Sequence, residues 1–161
     1  MLSQTTTVPV LKLSLLLTVY MGLSFALFLG ISNTLLGGIV YLFWLLPLYG
    51  ALLLGVWILA LRHRQKLARI KIWLWLVIGI LQIATLLTSP GNCYGVKQGD
   101  RCYSNLQIVA SDVSRAGPND VAHWQLVEDA FPGLAIAYGL SLAAGISTIT
   151  YVEKLSLPKQ R

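Results

Sequence analysis

Apolar residues dominate three stretches of the chain, residues 13–61, 72–96 and 130–152, and none of the three contains Asp, Glu, Lys, Arg or His. A charge at the centre of a bilayer costs roughly 2.5 to 3.5 kcal/mol on insertion scales, so charge-free tracts of this length predict a membrane-embedded chain. About 20 residues cross the hydrocarbon core as a helix. Residues 13–61 therefore suit two spans, divided where Gly30-Ile31-Ser32-Asn33-Thr34 and Gly37-Gly38 gather turn formers between two Leu-rich runs. The pattern predicts spans at residues 10–31, 38–61, 72–88 and 131–151, the third stopped by Ser89-Pro90-Gly91. The expected fold class is an all-α integral membrane protein, a four-helix bundle forming one membrane domain. A basic loop at 62–71, a long loop at 89–130 and a tail at 152–161 complete it.

Charge orients this arrangement. Lys12, Arg62, Arg64, Lys66, Arg69, Lys71, Lys154, Lys159 and Arg161 fall on one side against the single acid Glu153, whereas residues 89–130 hold three basic residues and five acids. The positive-inside rule then places both termini in the cytoplasm and the 89–130 loop outside. The net charge of +6 is topological on this reading and gives no reason to expect nucleic acid. Arg62, Arg64, Lys66, Arg69 and Lys71 are candidate contacts for anionic lipid head groups, at about 1 kcal/mol per basic residue. Trp57, Trp73 and Trp75 lie near the same boundary, as interfacial anchors do. A cleaved leader is the competing reading of the first tract, but its apolar run is longer than a leader's and only Lys12 precedes it.

Inside a bilayer, helices associate by close packing, which small residues at four-residue spacing allow. The first tract carries Gly22, Ala26 and Gly30 in such a row, continuing Ser14 and Thr18, and the last carries Gly133, Ala137, Ser141 and Gly145. These rows predict a close contact between the first and fourth helices. Ala135, Gly139, Ala143 and Ser147 form a second row that offers another neighbour, a second helix or a partner protein. Pro47 interrupts the second predicted span, where it removes one backbone hydrogen bond and predicts a kink.

Chemistry is confined to the 89–130 loop. Cys93 and Cys102 flank Gly95, Gly99 and Asp100, which favour a tight hairpin, and a structural disulfide on the non-cytoplasmic side is the expected outcome. Thiol–disulfide exchange is the sharper alternative, although a reactive pair is usually Cys-x-x-Cys and needs a second pair to shuttle with. After Gly117-Pro118, Val121–Ala130 predicts a short interfacial helix, capped by Asn119 or Asp120, with Trp124 at head-group depth and a break at Pro132-Gly133. Five residues separate His123 from Glu128, a spacing that on one helix points the two about 140° apart and predicts neither a metal site nor an acid–base pair. No nucleophile-elbow context surrounds Ser104, Ser111 or Ser114.

An ion or proton path through the spans would have to use Tyr20, Ser24, Tyr41, Tyr49, Gln82 or backbone carbonyls. The chain therefore reads as a non-enzymatic accessory, assembly or interaction subunit, with a small transporter or oligomeric pore as one alternative and a thiol oxidoreductase using Cys93 and Cys102 as another. No cofactor or metal is expected. The expected partners are anionic lipids on the cytoplasmic face and other membrane proteins through the fourth helix or the outer loop. Compact loops on a short chain fit a bacterial inner (plasma) membrane, with a thylakoid-type membrane as the alternative.

Overall fold

The computed structural model describes residues 5–32, 34–93, 101–115, 117 and 121–153. Outside the described residues lie Asn33 of the first turn, Gly95, Gly99 and Asp100 of the expected hairpin, Pro118 with the expected caps Asn119 and Asp120, and the tail residues Lys154, Lys159 and Arg161. The chain is mostly helical. Strand β1 (Thr5–Pro9) leads into α1 (Val10–Ile31), where Ser14 and Thr18 donate their hydroxyls back to the carbonyls of Val10 and Ser14 and so satisfy both hydroxyls within the helix. Thr34 caps α2 (Leu35–Val40) by accepting the Gly37 N–H at 3.2 Å, and its hydroxyl donates to the Pro90 carbonyl at 3.1 Å, tying this turn to the chain just beyond the third predicted span.

A π-helical turn, Tyr41–Leu45, joins α2 to α3 (Leu46–Arg62), so that the backbone is continuously helical over Leu35–Arg62. Pro47 explains the irregularity. It has no N–H to offer the carbonyl four residues back, and just before it the Leu46 N–H reaches five residues back to the Tyr41 carbonyl. The second helix thus begins at Leu35, three residues before its expected start, because Gly37 and Gly38 are helical.

The basic stretch expected as a loop is in part a strand, which corrects the all-α expectation. β2 (Leu67–Lys71) lies at the centre of a three-stranded antiparallel sheet, with β1 on one side and β5 (Thr150–Val152) on the other. Thr5 pairs with Lys71, Thr7 with Arg69, Ala68 with Tyr151 and Arg69 with Thr150. Alternation sends Ala68 and Ile70 to the inner face against Val8 and Tyr151, over a cluster of Val10, Leu13, Leu17, Val56 and Ala60. Thr7, Arg69 and Lys71 are exposed on the opposite face.

α4 (Ile72–Thr88) follows β2 directly, and α6 (Gln125–Ser147) closes the bundle. α1, the rod Leu35–Arg62 and α6 are long and apolar enough to cross a membrane; α4 is apolar but has 17 residues. α6 also departs from expectation. It begins at Gln125 and includes Pro132 and Gly133, so no separate interfacial helix occupies Val121–Ala130; it then ends at Ser147, where the chain turns into β5. The short helix of this region is instead α5 (Asn105–Ala110), whose N-terminus is capped by Ser104.

The bundle core gathers Met21 and Phe28 from α1, Tyr41, Leu45 and Tyr49 from the second rod, Ile78 from α4, and Phe131, Tyr138 and Leu142 from α6. Outward faces carry Leu23, Leu54, Leu61, Leu76, Ile80 and Leu140, each more than 60% exposed. Apolar exposure this extensive is what a bilayer, and not water, accommodates.

Candidate functional site

At the centre of the bundle, five polar side chains contributed by α1, α3, α4 and α6 bond to one another. Tyr20 Oη donates to Gln82 Oε1 at 2.6 Å, and Gln82 Nε2 donates to Ser24 Oγ at 2.9 Å. Ser24 Oγ lies 2.7 Å from Tyr49 Oη, Tyr49 Oη 2.5 Å from Tyr138 Oη, and Tyr138 Oη 3.3 Å from Tyr20 Oη. The Gln82 amide sets the direction: it accepts on one side and donates on the other. Carried round in that sense, each hydroxyl donates once and accepts once, and the circuit returns to Tyr20. The ring has no open end, whereas a proton wire needs two. Phe28, Tyr41 and Leu142, which pack in the same core, are at most 2% exposed, so buried side chains wall the ring.

The second site lies at the disulfide end. Cys93 and Cys102 are bonded, next to the antiparallel pair β3 (Pro90–Asn92) and β4 (Tyr103–Ser104). Three buried amides hold the surrounding chain in place. Asn92 Nδ2 donates to the carbonyls of Ser114 and Gly117, and Asn105 Nδ2 to the Leu86 carbonyl, joining the cap to the end of α4. Gln107, with no exposure, donates to the Ala122 carbonyl at 2.7 Å and accepts the Trp124 N–H at 3.1 Å. It thereby fixes the approach to α6.

That approach brings together residues whose helical spacing would separate them. His123 precedes the first residue of α6, so the 140° rule does not apply to it. Its Nδ1 donates to Glu128 Oε1 at 2.8 Å while its ring stacks on Tyr103 with centroids 4.0 Å apart. Arg101 pairs with Asp129 at 2.5 Å. A cleft of about 320 Å³ opens among these groups, with Thr88, Arg101, Glu128 and Asp129 as its polar lining and Leu36, Phe131 and Pro132 among the apolar residues. Cys102 also borders it.

The basic end has its own cleft, about 540 Å³, bordered by Pro9, Arg64, Gln65, Lys66, Leu67 and Glu153. Of the candidate lipid contacts, Arg64 and Lys66 line this cleft, Arg62 ends α3, and Arg69 and Lys71 stand on the outer face of β2. His63 stacks on Tyr151 at 4.7 Å, and burial pushes the Tyr151 phenol up from its ordinary value. Of the expected interfacial tryptophans, Trp57 donates to Thr18 Oγ1 at 3.1 Å and Trp75 meets Tyr20 edge to face, while Trp73 is exposed.

The small-residue rows do not mediate the contact expected of them. A Cβ added at Gly22, Gly30 or Gly133 would meet nothing within 4 Å, and Ala26 and Ala137 are exposed in part or wholly. α1 and α6 meet at side-chain length instead, through Ser24 and Phe28 against Tyr138. Bulky aromatic and hydroxyl groups between the two helices replace a close backbone approach. Gly145 does pack closely, but on α4: an added Cβ would lie 2.7 Å from Ile78. Gly139, in the second row, faces Leu48 and Trp44 of the second rod, and Ser141 returns its hydroxyl to the Tyr138 carbonyl of its own helix. Sequence reasoning had singled out Tyr20, Ser24, Tyr49 and Gln82 and missed Tyr138. Its place two turns from Phe131 and one from Leu142, on the inner side of α6, was the available signal. No family model, no curated protein and no solved structure matches the chain.

Proposed function

We propose that the chain is a four-span integral membrane protein, with both termini and the basic sheet in the cytoplasm, acting as a non-enzymatic accessory, assembly or interaction subunit of a membrane complex. α4 rises about 26 Å at 1.5 Å per residue, and a 17-residue helix lies at the lower end of the spanning range, so it completes the fourth crossing with its neighbours. Sidedness rests on the charge bias, with Arg62, Arg64, Lys66, Arg69 and Lys71 clustered at one end. Reporter fusions after residue 64 and after residue 112 test it, since cytoplasmic activity at the first and external activity at the second are required.

The closed hydrogen-bond ring carries the functional reading. A transporter or pore needs polar groups that face a passage, and here five polar side chains from four helices are used on one another among buried residues. Thiol exchange lacks a second cysteine pair in the sequence. What remains available to other molecules is the apolar exterior, the basic sheet face and the disulfide-end cleft. Anionic lipid on the cytoplasmic face and a membrane-protein partner on α6 or the outer cap are the occupants this reading assigns. Chemical crosslinking in the native membrane at near-native expression should recover the chain in a defined heteromeric band. Recovery of monomer alone would overturn the reading.

A further inference from the structure

The disulfide-end cleft has the chemistry of a receptor for a primary ammonium group. The Glu128 side chain in its wall is only 6% exposed; Oε1 is used by His123, while Oε2 is buried and has no partner among the described residues. Leaving a buried acceptor unmade forfeits a hydrogen bond whose desolvation has already been incurred, and a ligand that supplies a donor recovers it. The local charges specify the donor. Among the described residues that line the cleft, Glu128 and Asp129 stand against Arg101, one negative charge in excess. The complement is a cation. Among the described residues no group of three His, Cys, Asp or Glu side chains converges as a metal would need, so an N–H-bearing ammonium fits better than a metal ion.

The remainder of the ligand is specified by what surrounds that carboxylate. Arg101, bonded to Asp129 through one nitrogen and 39% exposed, keeps donors for an anion at the rim. Leu36, Phe131 and Pro132 give the cleft an apolar border on the second and last helices of the bundle. We infer that the cleft holds the head group of an amine-bearing phospholipid, its ammonium on Glu128 and its phosphate on Arg101, with the acyl chains passing along the apolar border. A volume of about 320 Å³ is at the small end of ligand pockets and suits a head group, not a whole lipid. The inference adds a ligand to the interaction-subunit reading and stands on the membrane placement of that reading, not on its partner.

The test uses the full chain, delipidated in detergent, with lipid retention read by native mass spectrometry and protection read by thermal unfolding. Phosphatidylethanolamine should be retained on the order of tenfold better than phosphatidylcholine, whose trimethylated nitrogen has no N–H, and better than phosphatidylglycerol, which has no cation. Glu128→Gln should reduce phosphatidylethanolamine to the phosphatidylcholine level while the lipid-free midpoint confirms that the variant folds. Should that variant fail to fold, the lipid series on the wild type alone still decides. Protection by free ethanolamine would support the same ammonium site with a soluble amine as its source. Equal retention of the three lipids, or undiminished ethanolamine-lipid selectivity in Glu128→Gln, would overturn the inference. Loss of selectivity leaves crosslinked partners unaffected, so the two readings fail separately.

Discussion

The two ends of the bundle are closed by opposite means. At the basic end, three segments distant in sequence, Thr5–Pro9, Leu67–Lys71 and Thr150–Val152, meet by backbone pairing over an apolar underside. At the disulfide end, two short strands and α5 are held by side chains, the amides of Asn92, Asn105 and Gln107 together with Cys93–Cys102. Backbone bonds persist whatever side chain they carry, whereas an amide that satisfies two loop groups has no substitute. The disulfide end should therefore be the more sensitive to single substitutions. Gln107→Leu tests this most severely, since it leaves the Ala122 carbonyl and the Trp124 N–H without their partner. At about 1 to 3 kcal/mol for each buried group left unsatisfied, the expected loss is roughly 2 to 6 kcal/mol. Hydrogen exchange should rise over 101–124 and stay unchanged over β2. Equal change at both ends would break the comparison.

Removal of the covalent link comes next. Cys93 and Cys102 are nine apart, and closing so short a loop is worth roughly 2 to 3 kcal/mol through the unfolded chain. Thermal unfolding of the double variant Cys93→Ser, Cys102→Ser, and of the reduced wild type, should show the same drop. A reduced protein as stable as the oxidised one would mean that the amides suffice.

The basic end has its own sensitive point, and alternation along β2 locates it. Ala68 is fully buried against the inner cluster, while its neighbour Arg69 is exposed on the other face. Ala68→Leu should cost about 1 to 3 kcal/mol by overpacking, and Arg69→Ala no more than about 0.5 kcal/mol. The ratio of the two, measured by thermal unfolding, reports whether the strand register holds.

How much of this was visible in the sequence differs between the parts for physical reasons. The apolar tracts and their dividing turn were legible because bilayer solvation acts on composition over about 20 residues, and Thr34 does cap the second helix as a turn residue should. The sheet was not. Its central strand shows only the short alternation Ala68, Arg69, Ile70, Lys71, and its partners lie some 60 residues before it and 80 after it. Thr5-Thr6-Thr7-Val8, a run of β-branched residues, was the clue left unused. Pro132-Gly133 looked like a helix break, yet α6 passes through it, because packing of Phe131 and Ala135 in the core outweighs one missing N–H. His123 and Glu128 were separated on paper by a helix that begins only at Gln125. The cysteines alone announced the disulfide.

Between the ends, the ring of hydroxyls and the Gln82 amide gives a smaller effect than its number of bonds implies. Polar contacts between membrane helices average about 0.6 kcal/mol and rarely exceed 1.7 kcal/mol, because the dissociated helices find other partners in the bilayer. Gln82→Leu breaks the ring at two bonds and should cost about 1 kcal/mol. Gln82→Glu keeps one acceptor and should show whether the direction set by the amide matters. A loss as large as that of Gln107→Leu would put the bundle centre, not the disulfide end, at the head of the comparison.

The smallest effects separate the glycines of α6, and here the sign carries the information. At Gly145 an added methyl would come 2.7 Å from Ile78 Cδ1, the far end of a flexible side chain, so Gly145→Ala should require a rotamer shift and cost at most about 1 kcal/mol. At Gly133 nothing lies within 4 Å, and Gly133→Ala should be neutral or stabilising by a few tenths of a kcal/mol through helix propensity. Both residues belong to one row of small residues in the sequence, so a common interface along that row requires the two variants to destabilise together. Opposite signs in thermal unfolding of the purified chain require instead that α6 packs on α4 through Gly145 and leaves Gly133 uncovered. Should Gly133→Ala be neutral in purified protein yet lower recovery of a crosslinked complex from membranes, the open part of the row would be the surface that a partner covers.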